Sequence, residues 1–479
     1  MKVMEKTKYI TTSIAYINAE PHIGFLLELV SADVLARYAR FIYGDDKVFF
    51  LTGTDEHGLK IQKAAIDAKL EPQKFADQTA AKYQKLCRDF NISNDSFIRT
   101  TDPRHVKFVQ EKWQKLKEAG VLEKRSYEGD YCVGCEAFKT ERELEDGKCL
   151  IHNQVVEHIK EENWFLLINK ETKDKIRAWL PAIYPAGRQS EIANIIEGNF
   201  DEVSVSRPKD KLSWGVPVPD DTDQTMYVWV DALLNYLSGI ELAGHSIEEI
   251  WPADIQIIGK DILKFHAIIW PAILIALGYG EKLPEKLLVH GFVNVEGKKM
   301  SKSLGNVITP AELAKKYGID GTRYLLLRQL NYYDDSNFSW AEFDALYNGE
   351  LANGLGNLVA RVIGLLGRFD GAGEIVKEEL GQAKAAEFLK KSALDFILDF
   401  KGELIDINDL INSADQWVSE NKPWTWEKPT TEQITELLAK SNLIEISFRL
   451  EPFLPTFSPK IRQQLSTLKS EPLFPRLVA

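Results

Sequence analysis

Two short stretches of the sequence carry side chains suited to holding a polyphosphate. PHIGF, from Pro21 to Phe25, lies between an apolar, β-prone segment and a helical pattern that begins near Leu26. A histidine and a glycine in such a strand-to-helix loop allow donation to a phosphate and close backbone approach. KKMSKSLGN, from Lys298 to Asn306, follows a Glu-Gly turn, and its ammonium groups suit the charge of a departing polyphosphate. A solvated basic loop is the alternative for this second stretch.

Three clustered cysteines and one histidine have the spacing of metal ligands. Two residues separate Cys132 from Cys135 and Cys149 from His152, and a 13-residue loop joins the two pairs. This spacing is typical of a zinc knuckle, in which three thiolates and one imidazole hold Zn²⁺ tetrahedrally. A closed ligand set indicates a structural ion, and a redox-active cysteine pair is the alternative. Cys87 stands alone on a helical pattern and is interpreted as a small buried residue.

The composition excludes several broad classes of protein. With 59 basic and 71 acidic residues the formal net charge is −12, which argues against coating nucleic acid through bulk charge. A local basic face for one folded RNA remains compatible with this total. Four cysteines in 479 residues do not make a secreted disulfide scaffold. No signal peptide is recognised, and the best apolar stretch, Phe265 to Gly278, is too short to span a bilayer, so we expect a cytoplasmic protein.

The hydrophobic patterns predict a split α/β fold. Strand candidates alternate with helical ones in the first quarter of the chain, which indicates a doubly wound parallel sheet. Near Tyr127 glycines, cysteines and charges indicate an inserted module, and a helix is predicted from Thr172 to Tyr184. Strand candidates return in three places: Met226 to Val230, Ile255 to Gly259 and Leu287 to His290. From about Leu346 onward the pattern predicts helices only.

PHIG and KMSKS together resemble the paired signatures of the class I aminoacyl-tRNA synthetases. Further stretches resemble the methionyl-tRNA synthetase family, in its bacterial type with a single zinc knuckle. They are FFLTGTDEHGLKIQ (Phe49 to Gln62), FIRTTDPRH (Phe97 to His105), YVWVDALLNYLS (Tyr227 to Ser238) and IIGKDILKFHAIIWPAIL (Ile257 to Leu274). The resemblance covers essentially the whole chain.

The resemblance implies an ATP-dependent ligase. Methionine and ATP, the latter as its Mg²⁺ complex, would form methionyl-adenylate and pyrophosphate, and the methionyl group would then pass to the terminal ribose of tRNA(Met), initiator tRNA included. The attacking carboxylate is already charged, so positioning and electrostatics rather than a general base would supply most of the catalysis. The implied fold is a split Rossmann-like parallel sheet with an inserted zinc-knuckle module and an all-helical anticodon-binding domain.

The resemblance assigns residues to the activation of ATP. The implied catalytic residues are His22, Lys299, Lys302 and Arg207. The implied ATP-binding residues are Pro21, His22, Gly24, Phe25, Gly259, Asp261, Lys299, Met300, Ser301, Lys302 and Ser303. For Arg207 the alternative is a solvated arginine that follows a strand.

The family's amino-acid pocket maps onto acidic and apolar positions. Asp55 and Asp261 match residues that face the substrate ammonium. The methionine-binding positions are Ile14, Tyr16, Asp55, Trp229, Ala232, Leu233, Tyr236, Asp261, Ile262, Phe265, His266 and Trp270. A thioether needs an apolar, aromatic-rich slot with few polar partners, which His266 and Tyr236 would supply. Without the resemblance, most of these aromatic residues would be interpreted as core.

The helical C-terminal part resembles the family's anticodon-binding bundle. Asn357 and Arg361 are four residues apart on one helix face, and Trp424 occupies the Pro-Trp position whose aromatic ring stacks on an anticodon base in the family. Simple packing of Trp424 and Trp426 into the bundle is the alternative. Because no further domain is recognised after the bundle, we expect a monomer.

The predicted domain organisation has five parts. They are the first half of the catalytic domain (1–115), the connective insertion with the zinc knuckle (116–220), the second half of the catalytic domain (221–290), the linker with the KMSKS loop (291–345) and the helical anticodon-binding domain (346–479).

Phe25 departs from the family signature, which ends in a second histidine. A phenyl ring donates no hydrogen bond, so one polar contact to the nucleotide is expected to be missing. Two alternatives follow: another class I synthetase, or a catalytically lapsed homologue that binds tRNA. The small insertion disfavours the leucine and valine types, which generally carry large editing modules. The position of the cysteines disfavours the cysteine type, which would hold zinc in the pocket itself.

Overall fold

The structure is a computed structural model that describes residues 6–132, 134, 137–139, 141–151, 153–198, 200–300, 305–389 and 398–477. The chain divides into two compact units. The first unit comprises the described residues of Met1–Glu20, Phe49–Lys85 and Asn94–Val289. The second unit comprises those of Pro21–Val48, Leu86–Ser93 and His290–Ala479. The five-part division predicted from the sequence stays a prediction.

Strands are concentrated in the first part of the chain. They are β1 (Lys8–Thr12), β2 (Ala15–Tyr16), β3 (Val48–Asp55), β4 (Ser96–Arg99), β5 (Leu122–Cys132), β6 (Ala137–Lys139), β7 (Leu144–Glu145), β8 (Lys148–Cys149), β9 (Glu157–Leu167), β10 (Ile183–Tyr184), β11 (Glu202–Ser204), β12 (Ser206–Pro208), β13 (Gln224–Met226), β14 (Ile255–Gly259), β15 (Leu287–His290), β16 (Val293–Val295), β17 (Lys298–Lys299) and β18 (Ser336–Phe338).

Helices connect these strands and make up the C-terminal region. Up to the last residues of the main sheet they are α1 (Ile23–Tyr43), α2 (Leu59–Asp67), α3 (Pro72–Asp89), α4 (Pro103–Glu118), α5 (Lys170–Trp179), α6 (Gly187–Glu197), α7 (Val228–Leu233), α8 (Asn235–Leu242), α9 (Ile247–Ile250) and α10 (Trp270–Ala276). The later helices are α11 (Pro310–Gln329), α12 (Trp340–Leu346), α13 (Asn357–Leu366), α14 (Ala372–Gln382), α15 (Ala385–Leu389), α16 (Phe400–Asn421), α17 (Thr431–Ser441), α18 (Leu443–Leu450) and α19 (Phe457–Thr467). Two π-helical segments, Phe265–Ile269 and Tyr347–Gly356, run directly into α10 and α13.

The main sheet has seven strands in the order β10-β15-β14-β1-β3-β2, with β4 paired to the other side of β3. The registered pairs of β1 with β14, β2 with β3, β3 with β4 and β10 with β15 are all parallel. Every position of β3 and β14 is buried, as expected for strands covered on both faces. The predicted split parallel sheet is confirmed.

The reversal of strand order at β1 determines where a ligand can bind. From β1 the chain adds β3 and β4 on one side, and only later adds β14 and β15 on the other. In open parallel sheets such a reversal opens a crevice at the carboxyl ends of the strands. At this edge β3 ends in Asp55 on one side, and the turn Lys260–Ile262 follows β14 on the other.

Two sequence predictions within the first unit are wrong. Met226 to Val230 is not a strand of the main sheet: Met226 ends β13, which pairs with β12, and α7 begins two residues later. The predicted helix to Tyr184 ends at Trp179, and Ile183–Tyr184 forms β10 instead. Short apolar runs are compatible with either helix or strand, so pairing partners decide between them.

The connective region is larger and more regular than the sequence pattern indicated. β5 and β9 form a long antiparallel pair from Leu122↔Leu166 to Tyr131↔Glu157, flanked by β11 and β6. The shorter β7–β8 hairpin follows β6. Of the clustered cysteines, the two that the structure describes, Cys132 and Cys149, lie at strand ends.

The described residues after Leu346 form helices and connecting turns without strands, which confirms the helical C-terminal region. Within the second unit α1 packs against α11 and α15. Arg323 of α11 is fully buried and donates to Asp33 of α1 at 2.6 Å and to the Pro452 and Phe453 carbonyls at 2.9 Å. Burial alone would raise the pKa of Asp33, but Arg323 and Arg37 hold that pKa below its ordinary value.

Candidate active site

The residues of the predicted methionine pocket form an apolar, aromatic-rich cluster in the first unit, centred on α7, α8 and the π-helical segment before α10. Trp229 and Phe265 stack in parallel with ring centroids 3.9 Å apart, and both are half-buried. Ile14, Tyr16 and Ile262 are also half-buried, whereas Ala232, Leu233, Tyr236, His266 and Trp270 are buried. The buried members belong to the hydrophobic core, as the alternative interpretation expected. The methionine-binding role of all these residues stays a prediction.

His266 and Tyr236 of this pocket are joined by a buried hydrogen bond. His266 Nδ1 lies 3.0 Å from the Ile262 carbonyl, which only accepts, so this nitrogen carries the proton. Tyr236 Oη then donates to His266 Nε2 at 2.7 Å. Burial lowers the pKa of His266 to about 4, against a smaller opposing effect of the Ile262 carbonyl, so the imidazole is neutral at neutral pH. An uncharged slot suits a thioether better than it suits a charged side chain.

Two carboxylates predicted to face the substrate ammonium follow main-sheet strands. Asp55 is the last residue of β3 and is buried, with 6% of its surface exposed. Asp261 lies in the turn after β14 and is exposed. Gly259, the last residue of β14, is buried and extended. The edge of the sheet thus offers one shielded and one open negative charge to a cationic group.

A buried network next to this pocket was missed by the sequence analysis. Asp231 of α7 lies between His57 Nδ1 at 2.7 Å and His105 Nε2 at 2.8 Å, and His105 Nδ1 lies 2.7 Å from Ser238 Oγ. Burial opposes the charge of Asp231, but His57 and His105 lower its pKa to about 2. The only sequence signal was the presence of these residues inside the motifs that carried the resemblance.

In the second unit the first phosphate signature forms the N-terminus of α1. His22 is the N-cap, and its Nδ1 accepts from the Gly24 N–H at 3.1 Å. A neutral His22 that accepts at Nδ1 carries its proton at Nε2, where it can be donated to an anion. A Cβ at position 24 would lie 3.0 Å from His22 Cε1, so glycine leaves room for the ring. Pro21 and Phe25 are half-buried beside it, and the 21-residue helix adds its positive end.

The second phosphate signature leaves a small sheet of the second unit. β16 and β17 form a hairpin whose turn, Glu296–Gly297, has positive φ at both residues, as its tight geometry requires. Lys299 is the last residue of β17 and Met300 follows it. Ser301, Lys302 and Ser303 lie outside the described residues, so their predicted roles stay predictions.

Arg207 is not a solvated arginine. It lies in β12 of the first unit with 5% of its surface exposed. Its Nη1 donates to Ser204 Oγ at 2.8 Å and to the Ser206 carbonyl at 2.6 Å. Its guanidinium lies over the rings of Tyr131 and Tyr227, at 5.3 Å and 4.7 Å from their centroids. A desolvated guanidinium of this kind is typical of a functional charge and not of a solvated face.

Two of the four predicted zinc ligands are described. Cys132 ends β5 and Cys149 ends β8, with 2% and 1% of their surfaces exposed. After Cys149 the chain folds back, because the Asn153 N–H donates to the Cys149 carbonyl at 2.7 Å. Cys135 and His152 lie outside the described residues, and no cluster of three ligating side chains forms among the residues that are described. Two buried sulfurs at strand ends fit the ligands of a structural ion.

The predicted anticodon residues share one surface of the second unit. Asn357 and Arg361 are one turn apart on α13, and Asn357 is exposed. Trp424 is 40% exposed, and the Arg361 guanidinium lies 5.2 Å from its ring centroid. Arg361 also contacts Asp415 at 2.6 Å. Trp426 packs against Phe369 with nearly parallel rings, so the two tryptophans differ: one is exposed and the other belongs to the bundle.

Comparison with known proteins identifies the family of the chain. Residues 8–146 and 139–363 match the family model described as tRNA synthetases class I (M). The methionine–tRNA ligase of Rickettsia bellii is 38% identical over 99% of this chain and 95% of its own length. The corresponding enzyme of Caldanaerobacter subterraneus is 38% identical over 96% of this chain and 74% of its own length.

The chain is also similar to solved structures of methionyl-tRNA synthetases. The Mycobacterium tuberculosis methionyl-tRNA synthetase in complex with methionyl-adenylate has a TM-score of 0.84 and 32% identity, with 99% of both chains covered. The free form of that enzyme has a TM-score of 0.78 and 28% identity, with both chains fully covered. Matches that extend over the sheet, the pocket and the helical bundle go beyond a shared sheet topology. The chain therefore belongs to the methionyl-tRNA synthetases, a family of class I tRNA synthetases.

Proposed function

We propose that the chain is a methionine–tRNA ligase: it forms methionyl-adenylate from methionine and ATP, and it transfers the methionyl group to the terminal ribose of tRNA(Met), initiator tRNA included. The observation that carries the proposal is the aromatic cluster of Trp229, Phe265 and the neutral His266, which belongs to the same unit as Asp55 at the end of β3. The apolar part suits a thioether and the carboxylate suits an ammonium group. Whole-length relatives that are methionine–tRNA ligases support the same assignment.

The proposed first step is an attack by the methionine carboxylate on the α-phosphate, with departure of pyrophosphate. His22 Nε2–H would donate to a phosphate oxygen, and Lys299 and Lys302 would stabilise the leaving charge. Arg207 would add a further desolvated positive charge. Mg²⁺ bound with ATP would neutralise part of the phosphate charge. In the second step a ribose hydroxyl of tRNA attacks the methionyl carbonyl and AMP departs.

Two further roles belong to the proposal. Cys132, Cys135, Cys149 and His152 would hold one structural Zn²⁺, supported by the two buried sulfurs. Asn357, Arg361 and Trp424 would bind the anticodon, supported by their common surface. No described helix is long and apolar enough to cross a membrane. A cytoplasmic monomer stays our expectation.

Amino-acid-dependent exchange of labelled pyrophosphate into ATP tests the assignment. We expect exchange with methionine, and a loss of about 100-fold or more in Lys302→Ala with folding unchanged, since that lysine stabilises charge that develops only in the transition state. Exchange with a different amino acid would overturn the substrate assignment. A complete absence of exchange would favour a lapsed homologue.

Replacing Phe25 with histidine should accelerate adenylate formation. The added imidazole supplies a donor that phenylalanine lacks, and a donor of this kind is worth about 100- to 1,000-fold in rate. Pre-steady-state adenylate formation is the measurement, and the preference for methionine over other amino acids should not change. An equal or lower rate in Phe25→His would mean that the site is organised around phenylalanine.

Zinc should be lost from Cys149→Ser and kept in Cys87→Ala. We expect about one zinc per chain in the unaltered protein and near none in Cys149→Ser, together with a lower melting temperature. Cys87 is the matched control, because burial in α3 raises the pKa of its thiol to about 12 and keeps it protonated. The measurement is the zinc content of each protein after purification without chelators. Absence of zinc from the unaltered protein would contradict the proposal.

Trp424→Ala should weaken tRNA binding without affecting activation of the amino acid. Loss of a stacking platform costs about 1–3 kcal/mol per base, so the KM for tRNA(Met) should rise about tenfold. Pyrophosphate exchange, which does not involve tRNA, should be unchanged. Trp426→Leu is the control: loss of its contact with Phe369 should lower the melting temperature more than it raises the KM for tRNA. Equal effects of both variants on that KM would argue against a specific contact.

A further inference from the structure

A single buried carboxylate joins two parts of the first unit that face the proposed methionine pocket. Asp231 has 1% of its surface exposed, and its two oxygens accept separately from His57 Nδ1 and His105 Nε2. Because a carboxylate only accepts, both of these ring nitrogens carry a proton. His105 is fully buried and His57 has 6% of its surface exposed. Charge-assisted hydrogen bonds of this kind, shielded from water, are among the stronger directional contacts in proteins.

The two ends of the Asp231–His57 bond belong to different functional parts. His57 follows Asp55, the carboxylate at the end of β3, by two residues. Asp231 is on α7, between Trp229 and Leu233. Residues four apart share a helix face, and the residue midway between them points about 200° away. Trp229 and Leu233, both proposed to bind methionine, therefore lie on one face of α7, while Asp231 lies on the opposite face and is held there by His57 and His105.

Helix α7 has 6 residues and continues through Leu234 into α8. The hydrogen bonds of Asp231 tie this short helix to the His57 loop and to α4. The His57 loop is held in turn on its other side, where Trp214 Nε1 donates to the Glu56 carbonyl at 2.6 Å and the Gly58 N–H donates to the Trp214 carbonyl at 3.0 Å. His105 belongs to α4, and its Nδ1 forms a hydrogen bond with Ser238 Oγ of α8. Its Nε2 donates to the second oxygen of Asp231.

We infer that Asp231 and His57 are positioning residues that set the distance between the ammonium-binding and thioether-binding parts of the methionine pocket, an inference that rests on the proposed function. His57 fixes the chain that carries Asp55, and Asp231 fixes the helix that carries Trp229. Their hydrogen bond makes the two parts one rigid frame. Methionine spans that frame from its ammonium group to its sulfur, whereas ATP does not.

The test compares His57→Leu, which loses the Nδ1 donor, with His57→Asn, whose amide nitrogen takes a similar place. Pyrophosphate exchange gives the KM for methionine and for ATP, with kcat corrected for the active fraction. In His57→Leu the KM for methionine should rise about tenfold while the KM for ATP is unchanged, because a hydrogen bond to a charged group is lost. The preference for methionine over norleucine should fall as well. His57→Asn should recover to within about threefold of the unaltered enzyme.

His158→Leu is the matched control. His158 contacts Asp130 at 3.0 Å and Glu128 at 3.3 Å, but it is exposed on β9, so its loss should leave both KM values unchanged. If His57→Leu lowers only the melting temperature, or raises both KM values equally, the inference is overturned. If His57→Leu does not fold, Asp231→Asn, which keeps the volume and removes the charge, decides by the same KM comparison: an unchanged KM for methionine overturns the inference.

Different results would overturn the substrate assignment and the positioning role of His57 and Asp231. Exchange by the unaltered enzyme with an amino acid other than methionine would overturn the substrate assignment, and the inference with it. Exchange with methionine, combined with an unchanged methionine KM in His57→Leu, would overturn the positioning role alone.

Discussion

The pairing of β1 with β14 is the constraint on which the first unit depends. Ile10, Thr11 and Thr12 align in parallel with Ile255, Gln256 and Ile257, and the Ser13 N–H extends the ladder to the Ile257 carbonyl at 2.8 Å. Parallel strands need a crossover connection, and here the chain between them includes α4, the antiparallel connective sheet and α7 to α9. The pairing places β14 next to β1, the first strand of the chain, although the two strands are far apart in sequence. Everything proposed for the methionine pocket requires that edge.

The same unit maintains two histidine environments with opposite electrostatic character. Burial has the largest effect on the pKa of His266 and lowers it, so the imidazole is neutral. Its hydrogen-bond partners are the Tyr236 hydroxyl and the Ile262 carbonyl. Around Asp231 two imidazoles offset the cost of burial, and a full negative charge persists. The neutral environment lines the slot proposed for the thioether. The charged environment lies behind the wall of that slot, where it can hold an element in place without presenting charge to an apolar ligand.

In the second unit, helix α1 combines exposure at one end with burial along its length. His22 at its N-terminus is exposed and caps the helix, whereas Asp33, three turns further on, is fully buried against Arg323. Asp33 also accepts from Arg37 at 2.7 Å and from the Ser93 backbone and hydroxyl at 2.6 Å. Breaking one side of a buried pair of this kind costs about 3–5 kcal/mol, since the other charge is left without compensation. A helix anchored in this way can present its N-terminus to an anion without relying on contacts at that end.

The amino-acid sequence by itself determined the family, the alternation of strands and helices, and most of the residues proposed for the site. The residues within each signature, Pro21 to Phe25 and Lys298 to Asn306, lie within a few positions of one another along the chain, and long helices such as α1 show their periodicity locally. Apolar runs were sufficient to predict β14 and β15. They gave a wrong prediction for Met226 to Val230, because Met226 is the last residue that pairs with β12 and α7 begins two residues later. Only the tertiary structure decided that His57, His105 and Asp231 meet, that Arg207 is buried under two tyrosines, and that Trp424 is exposed while Trp426 is packed. The physical reason is that periodicity reports which face of an element is apolar, whereas the partner of a buried charge depends on elements brought together from distant parts of the chain.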